Sequence, residues 1–382
     1  MKKIAHFVER FPVGGQEYVY DQFLNNDKIE SILITECLTR SENTTQITPF
    51  YFKKNSNFSF FNKINNRLNN EILNSFYIKR FNSFAKKIIR GHKISIIHAH
   101  FATEGYKLIE LKKNLGIPLF VTFYGVDASY CLKHEIWIER YKRLFEFSDV
   151  LIVLCEEVKK RLLNLGCSEE KIRIWDIGIN LNEFNFEEKS PKKVIKFLTV
   201  ARFVEKKGYS ILLQAFKKVL DVHQNIKLTV IGYGPLKQKI LAEVDELGIR
   251  RSINLIDTAK IDNFNQLFKG ALAEHDIFIL PSIVAKDGDD EGGPPVVITC
   301  AQASGLPVIS TPVGGITRAI KDNETGFLSL PGNVDDLQNK MKFLINKPEL
   351  WSMIGQKARS FVEKRFSLSK QLKKLEQFYM SL

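Results

Sequence analysis

Short runs of β-branched and aromatic residues alternate along this chain with longer segments whose apolar positions recur every three or four residues. That rhythm is the mark of strands followed by covering helices, and it predicts βαβ units with parallel sheets, an α/β protein. In the first half the pattern places strands at 3–8, 31–38, 94–101, 119–125 and 150–155, and in the second half at 195–202, 227–232, 252–256, 275–281 and 307–311. Three helical stretches, 333–346, 348–365 and 368–380, close the chain, the last with apolar residues at Leu372, Leu375, Phe378 and Tyr379. The rhythm breaks at Asn182–Lys193, a polar stretch that carries a proline and shows no periodicity. A domain boundary is expected there, dividing the chain into 1–185, 186–365 and a terminal segment, 366–382, that can return to the first domain. A length of 382 residues suits two cores, because single domains stop growing below that size.

Charge changes this picture in one place. Of the net +13, most sits between Tyr51 and Lys93, where Lys53, Lys54, Lys63, Arg67, Lys79, Arg80, Lys86, Lys87, Arg90 and Lys93 face one acid, Glu71. Interleaved aromatics make this segment resemble an interfacial element that pairs apolar insertion with attraction to anionic lipid. Nucleic acid attracts the same charge, and a solvated helical face with core aromatics accounts for the pattern equally well. No apolar stretch reaches the roughly 18 residues of a membrane-spanning helix, so membrane contact is expected to be peripheral. Met1-Lys2-Lys3 leads straight into Ile4–Val8 without an apolar leader, and five scattered cysteines form no CxxC pair. A reducing, cytoplasmic setting is expected.

Doubly wound sheets bind ligands beyond the carboxyl ends of their strands, and the unusual residues fall there. After the first strand, Phe11-Pro12-Val13-Gly14-Gly15-Gln16-Glu17 gives a glycine turn opening a helix, suited to phosphate but in isolation merely a turn. Ala201-Arg202-Phe203-Val204-Glu205-Lys206-Lys207-Gly208 puts Arg202 and Lys207 on a strand-to-helix loop, the charge that a diphosphate leaving group needs when no metal is present. Gly232 and Tyr233 form a turn that can bring backbone against a nucleotide base. The longest loop, Pro281 to Pro295, holds Glu291, able to accept sugar hydroxyl protons, beside Gly292, Gly293 and Pro294. Asp287, Asp289 and Asp290 also form an oxygen set for a divalent cation. Since Arg202 and Lys207 already answer the phosphate charge, no metal or other cofactor is expected. In the first half His100, Tyr124 and Asp127 follow two neighbouring strands and are candidate contacts for an acceptor or a transferred sugar. Side-chain alternation is read as letting only one of His98 and His100 turn toward such a crevice, the other being buried and hydrogen-bonded.

Taken together these motifs resemble glycosyltransferase family 4, over nearly the whole chain and most strongly from Thr199 to Phe327. The resemblance implies that Arg202 and Lys207 bind the donor diphosphate and that Glu291 is the first glutamate of the family's pair, contacting the donor sugar. Val313-Gly314-Gly315 and Thr325-Gly326-Phe327 match its downstream signature. Phe11-Pro12, His98-Ala99-His100-Phe101 and Thr122-Phe123-Tyr124-Gly125 look like the branch that builds exopolysaccharide, capsule or lipopolysaccharide, including colanic-acid-type enzymes. There are three departures. Thr299 stands where a second glutamate usually holds the nucleotide ribose, Tyr124 where many relatives carry histidine, and Thr317-Arg318 where Pro-Glu is common.

What the resemblance implies is a glycosyltransferase-B fold, two Rossmann-like domains facing a cleft with C-terminal helices. The implied reaction is retaining hexosyl transfer from a UDP- or GDP-sugar to a glycan or polyprenyl-linked glycolipid acceptor, with donor on the second domain and acceptor on the first. Peripheral attachment to the inner face of the cytoplasmic membrane through residues 51–93 goes with it, and nucleic acid is not an expected partner. The competing classes are a non-catalytic sugar- or nucleotide-binding protein on the same fold, and a polysaccharide phosphorylase or synthase.

Overall fold

A computed structural model describes residues 1–11, 17–38, 49–52, 67–190, 193–261 and 263–381, with side chains from Ser75 onward in the helix that begins at Arg67. Gly14, Gly15 and residues 53–66 of the basic segment lie outside the described residues. The first sheet has seven strands: β1 (Lys2–Phe11), β2 (Ile29–Leu38), β3 (Phe50–Tyr51), β4 (Ile96–His100), β5 (Leu119–Thr122), β6 (Val150–Val153) and β7 (Ile172–Ile174). The second has six: β8 (Ile195–Val200), β9 (Ile226–Gly232), β10 (Ile253–Asp257), β11 (Ile277–Leu280), β12 (Val308–Ser310) and β13 (Phe327–Leu328). The orders are β3-β2-β1-β4-β5-β6-β7 and β10-β9-β8-β11-β12-β13, and the pairings within both sheets are parallel. All ten strands expected from the sequence are present. The three additional ones, β3, β7 and β13, have two or three residues each, too few for alternation to register.

The chain divides into two compact units. The first comprises Met1–Val153, Lys159–Trp175 and Lys374–Leu382, and the second Leu154–Val158 and Asp176–Lys373. The polar stretch Asn182–Lys193 thus falls inside the second unit, where Phe184 packs on Phe268 (6.3 Å) and the Lys189 ammonium donates to the Leu272 and Ala273 carbonyls.

In the first unit the helix Arg67–His92 buries Tyr77, Phe81, Ala85, Ile88 and Ile89 and leaves Phe76, Lys79, Arg80, Lys87 and Arg90 exposed. Among its described aromatics, then, Tyr77 and Phe81 serve the core and Phe76 stands in solvent. Tyr77 donates to the Glu36 carboxylate, which also pairs with Lys107, and Lys107 reaches Glu104 at 2.6 Å. This buried network ties the helix to the sheet. The end of the last helix, Leu368–Met380, completes this unit: Tyr379 is fully enclosed, its ring 5.7 Å from that of Phe120.

The second unit shows why a sheet covered on both faces reads as near-continuous apolar runs. Ile277 and Ile279 enter one cluster with Phe216, Met341 and Trp351; Phe278 and Leu280, pointing the other way, enter another with Phe268, Ile298 and Phe366. Thr317-Arg318, a departure without an evident reason in the sequence, has one here. The Arg318 guanidinium donates twice to Asp176 Oδ1 (3.0 and 2.8 Å), and Arg365 completes the arrangement on Oδ2 at 2.8 Å.

Candidate active site

In the second sheet the strand order reverses between β8 and β11, and the loops leaving their carboxyl ends flank the crevice in which such sheets hold ligands. The β8 loop is Ala201–Gly208 and the β11 loop runs from Pro281 to Pro295. The structure brings their charged residues together. Lys207 Nζ lies 2.6 Å from Glu291 Oε1, and Ser282 Oγ donates to the same oxygen at 2.7 Å. Both partners are almost enclosed. Burial pulls the Lys207 ammonium below its ordinary pKa, with Lys206 and Arg202 adding to the effect and Glu291 opposing it. Burial pushes the Glu291 carboxyl up, but Lys207 and then Lys206 outweigh it and hold the group below the usual range. Glu291 is therefore a carboxylate at neutral pH.

Arg202 differs from both lysines. It is exposed, and its guanidinium has no hydrogen-bond or ion-pair partner among the described residues. Beside it Lys207 and Glu291 pair with each other, so the guanidinium is the cation of the β8 loop left for a ligand. The amides of Gly292 and Gly293 likewise find no acceptor among the described residues. An open cation and open N–H donors next to a fixed carboxylate can bind an anion on one side and sugar hydroxyls on the other.

The backbone around Glu291 is crowded. A Cβ on Gly314 would lie 1.8 Å from the Glu291 carbonyl oxygen, and Gly314 has φ +54. Gly315 donates its N–H to that carbonyl at 3.3 Å, while a Cβ on Gly293 would meet Leu154 Cβ at 2.5 Å. Gly232 is a close-approach glycine, its absent Cβ falling 1.9 Å from the Ala201 carbonyl oxygen, and the neighbouring Tyr233 is exposed. Pro294 is half-buried. Thr299 is buried and donates its hydroxyl proton to the Val296 carbonyl (2.8 Å), so what it can still offer is acceptor capacity. The acidic run that could have formed a cation site is already countered: Lys206 donates to Asp289 Oδ1 (3.0 Å) and to the Asp290 carbonyl (2.7 Å).

In the first unit His100, Tyr124 and Asp127 gather at the ends of β4 and β5, but as parts of the framework. Asp127 is fully enclosed, and its carboxylate accepts the amides of Ala102, Tyr124 and Gly125. His98 and His100 are both enclosed on one face of the sheet, ring centroids 4.4 Å apart, and His6 joins them from β1. The expectation that only one of the pair could turn that way is corrected: residues two apart in a strand share a face.

Hydrogen bonds account for all six ring nitrogens. His6 bonds Ser31 (3.1 Å) and His100 (3.0 Å), His100 bonds Tyr124 (2.6 Å), and His98 bonds Tyr379 (2.5 Å) and Thr122 (2.7 Å). Because Ser31 donates to the Leu24 carbonyl, the first chain has one consistent direction: Tyr124 donates to His100, His100 to His6, and His6 to Ser31. These three histidines are the metal-ligand cluster among the described residues. A metal there would have to displace bonds already made.

Burial lowers all three histidine pKa values, that of His98 to about 3. As pH falls below the ordinary value of 6.5, the unfolded chain takes protons that the folded chain refuses, and stability drops by about 1.4 kcal/mol per pH unit for each histidine. Glu104 acts in the opposite sense: burial, partly offset by Lys107, raises its carboxyl to about 7, so it favours the fold as pH falls through that value. Urea midpoints measured from about pH 7.5 down to about pH 5 are expected to fall, and to fall more steeply in Glu104→Gln. A flat profile in that variant would refute the neutral histidine chain.

With this geometry in place, the likenesses to known proteins have a structural meaning. Residues 181–361 match the family model described as Glycosyl transferases group 1, and residues 59–183 the model described as Glycosyltransferase Family 4. The chain is 31% identical over 278 residues to the amylovoran biosynthesis glycosyltransferase AmsK of Erwinia amylovora, covering 69% of this chain and 67% of that protein. It is 27% identical over 242 residues to the putative colanic acid biosynthesis glycosyltransferase WcaL of Escherichia coli, covering 62% and 58% of the respective chains. The chain belongs to the family 4 glycosyltransferases and is an enzyme of that class. Among solved structures, HepE of Anabaena in complex with UDP-glucose superposes with a TM-score of 0.78 at 13% identity, each chain covered in full. Sucrose-phosphate synthase of Thermosynechococcus elongatus gives 0.77 at 18% identity, covering 100% and 99%. These carry the fold.

Sequence reading missed Lys206, Ser282, His6 and Ser31. Ser282 follows a strand end directly and was open to the same argument as Arg202. The others act through partners distant in sequence.

Proposed function

We propose that this enzyme transfers a hexosyl group, with retention of anomeric configuration, from a UDP- or GDP-sugar to a glycan or polyprenyl-linked glycolipid during assembly of a bacterial surface polysaccharide. The observation that carries this reading is the uncompensated Arg202 beside the Lys207–Glu291 pair at the β8/β11 switch point. As the anomeric bond breaks, negative charge collects on the departing diphosphate. Arg202, Lys207 and the Gly292 and Gly293 amides stabilise it, with Gly14 and Gly15 as further donors, and these charges do the work for which other transferases use a metal. Glu291 accepts hydroxyl protons of the donor sugar and orients it. In this reading no carboxylate acts as a covalent nucleophile: the acceptor attacks from the face the diphosphate leaves, and a departing phosphate oxygen takes its proton. Tyr233 and Gly232 flank the nucleotide, and Thr299 meets the ribose as an acceptor. His100 and Tyr124 shape the acceptor side, with Asp127 bracing their loop.

The exposed basic face of the helix Arg67–His92, with Phe76 beside Lys79 and Arg80, holds the enzyme to anionic lipid at the cytoplasmic membrane, near a lipid-linked acceptor. Nucleotide release is the test, across UDP-, GDP- and ADP-sugars with membrane glycolipid extract as acceptor. Acceptor-dependent release that Glu291→Ala abolishes is the expected result. Donor binding without turnover in any active extract would point instead to a binding protein on the same fold.

A further inference from the structure

Lys206, in the β8 loop, grips both the backbone and an acid of the β11 loop. Its side chain is 4% exposed. Its ammonium donates to the Asp290 carbonyl at 2.7 Å and to Asp289 Oδ1 at 3.0 Å, while its own carbonyl accepts the Ile283 amide at 2.8 Å. One residue thus pins the β11 loop near its start and again at the peptide joining Asp290 to Glu291. Between Ala285 and Asp289 three bonds are internal and give this part of the loop its shape: Ala285 N–H to the Asp289 carbonyl, Gly288 N–H to the Ala285 carbonyl, Asp289 N–H to the Asp287 carboxylate. Outside it Thr311 donates to the Ser282 carbonyl and Gly315 N–H to the Glu291 carbonyl at 3.3 Å, and Lys206 anchors the stretch between those two points. Consecutive lysines then grip consecutive residues, Lys206 at Asp290 and Lys207 at the Glu291 carboxylate.

We propose that Lys206 is a positioning residue that sets the register of Glu291 and the Gly292–Gly293 amides against Arg202 and Lys207, and thereby the enzyme's choice among donor sugars. The inference rests on the reading that Glu291 contacts the donor sugar. Lys206 itself is too enclosed to meet substrate, and its charge is answered by Asp289. A catalytic group displaced by about 1 Å costs on the order of 10²-fold in rate, and the Asp290 peptide is the hinge through which such a shift would reach Glu291.

The test compares wild type, Lys206→Met and Lys206→Arg. In the ligand-free proteins, hydrogen exchange followed by mass spectrometry should show the Ala285–Gly293 peptide exchanging roughly ten-fold faster in Lys206→Met, with the rest of the second unit unchanged. With donor, the same variant should lose roughly 30-fold in kcat while KM moves less than about three-fold. It should also discriminate less between the preferred nucleotide-sugar and its 4-epimer, and Lys206→Arg should recover most of both effects. Unchanged exchange in that peptide would overturn the proposal, as would protection lost across the whole unit with arginine no better than methionine. If wild type turns over no donor in the panel, the proposed function fails, and the exchange comparison still decides the role of Lys206.

Discussion

Arg202→Ala is expected to lower kcat by about 10²–10³-fold, the loss seen when one preorganised donor to a developing anion is removed, and to leave the thermal midpoint where it was. The two halves of this expectation have one cause. An exposed guanidinium without a protein partner contributes nothing to the fold that its removal could undo. Its charge also disfavours the buried Lys207 ammonium, so the resting protein is relieved rather than harmed by its loss. Lys207→Ala should behave differently. It leaves the Glu291 carboxylate buried with Ser282 as its side-chain hydrogen-bond partner and Lys206 as the nearby charge, and breaking a buried pair from one side costs about 3–5 kcal/mol. That variant loses turnover and stability together. Nucleotide-release kinetics and thermal melts on the same two preparations separate the cases. An Arg202→Ala enzyme with near-wild-type kcat would take the guanidinium out of the reaction.

The contrast between these cations marks how far the sequence could be read. Arg202, Lys207 and Glu291 were legible because each lies on a loop leaving the carboxyl end of a strand whose apolar run is unmistakable, and in parallel sheets those loops are where ligands go. Which strands adjoin was not legible. The meeting of the β8 and β11 loops follows from the sheet order, which rests on pairings between residues such as Phe197 and Ile277. The histidines show the same limit from the other side. His98 and His100 share a face by alternation alone, but their closure depends on His6 from β1, Tyr124 after β5 and Tyr379 from the far end of the chain. The short strands β3, β7 and β13 were missed because two or three residues carry no period; every strand of four or more residues announced itself, and β12, itself of three, did so through the apolar run that follows the Gly305-Leu306-Pro307 turn. Arg318 looked arbitrary until Asp176 and Arg365 were beside it.

Gly314→Ala should be the most damaging methyl group that can be added to this enzyme's active-site loops. Two effects coincide at that position. An alanine at φ +54 bears a left-handed backbone cost of about 1–2 kcal/mol, and its Cβ would stand 1.8 Å from the Glu291 carbonyl oxygen. Contact at that distance has to be relieved by movement, and neither side is free to retreat. The turn Gly314–Arg318 is held at its end by the Arg318 bonds to Asp176, and the peptide before Glu291 is held by Lys206. The strain therefore falls on Glu291 itself, carrying its carboxylate away from Lys207 and Ser282. Loss of activity is expected to approach that of Glu291→Ala, with a further overpacking cost of about 1–3 kcal/mol in stability. Gly332→Ala supplies the comparison: φ there is +74 and nothing lies within 4 Å of the added carbon, so it bears the left-handed cost alone and should keep its turnover. If both variants lose stability equally and both stay active, the Gly314 turn does not hold Glu291 in place, and the carboxylate is positioned from the lysine side alone.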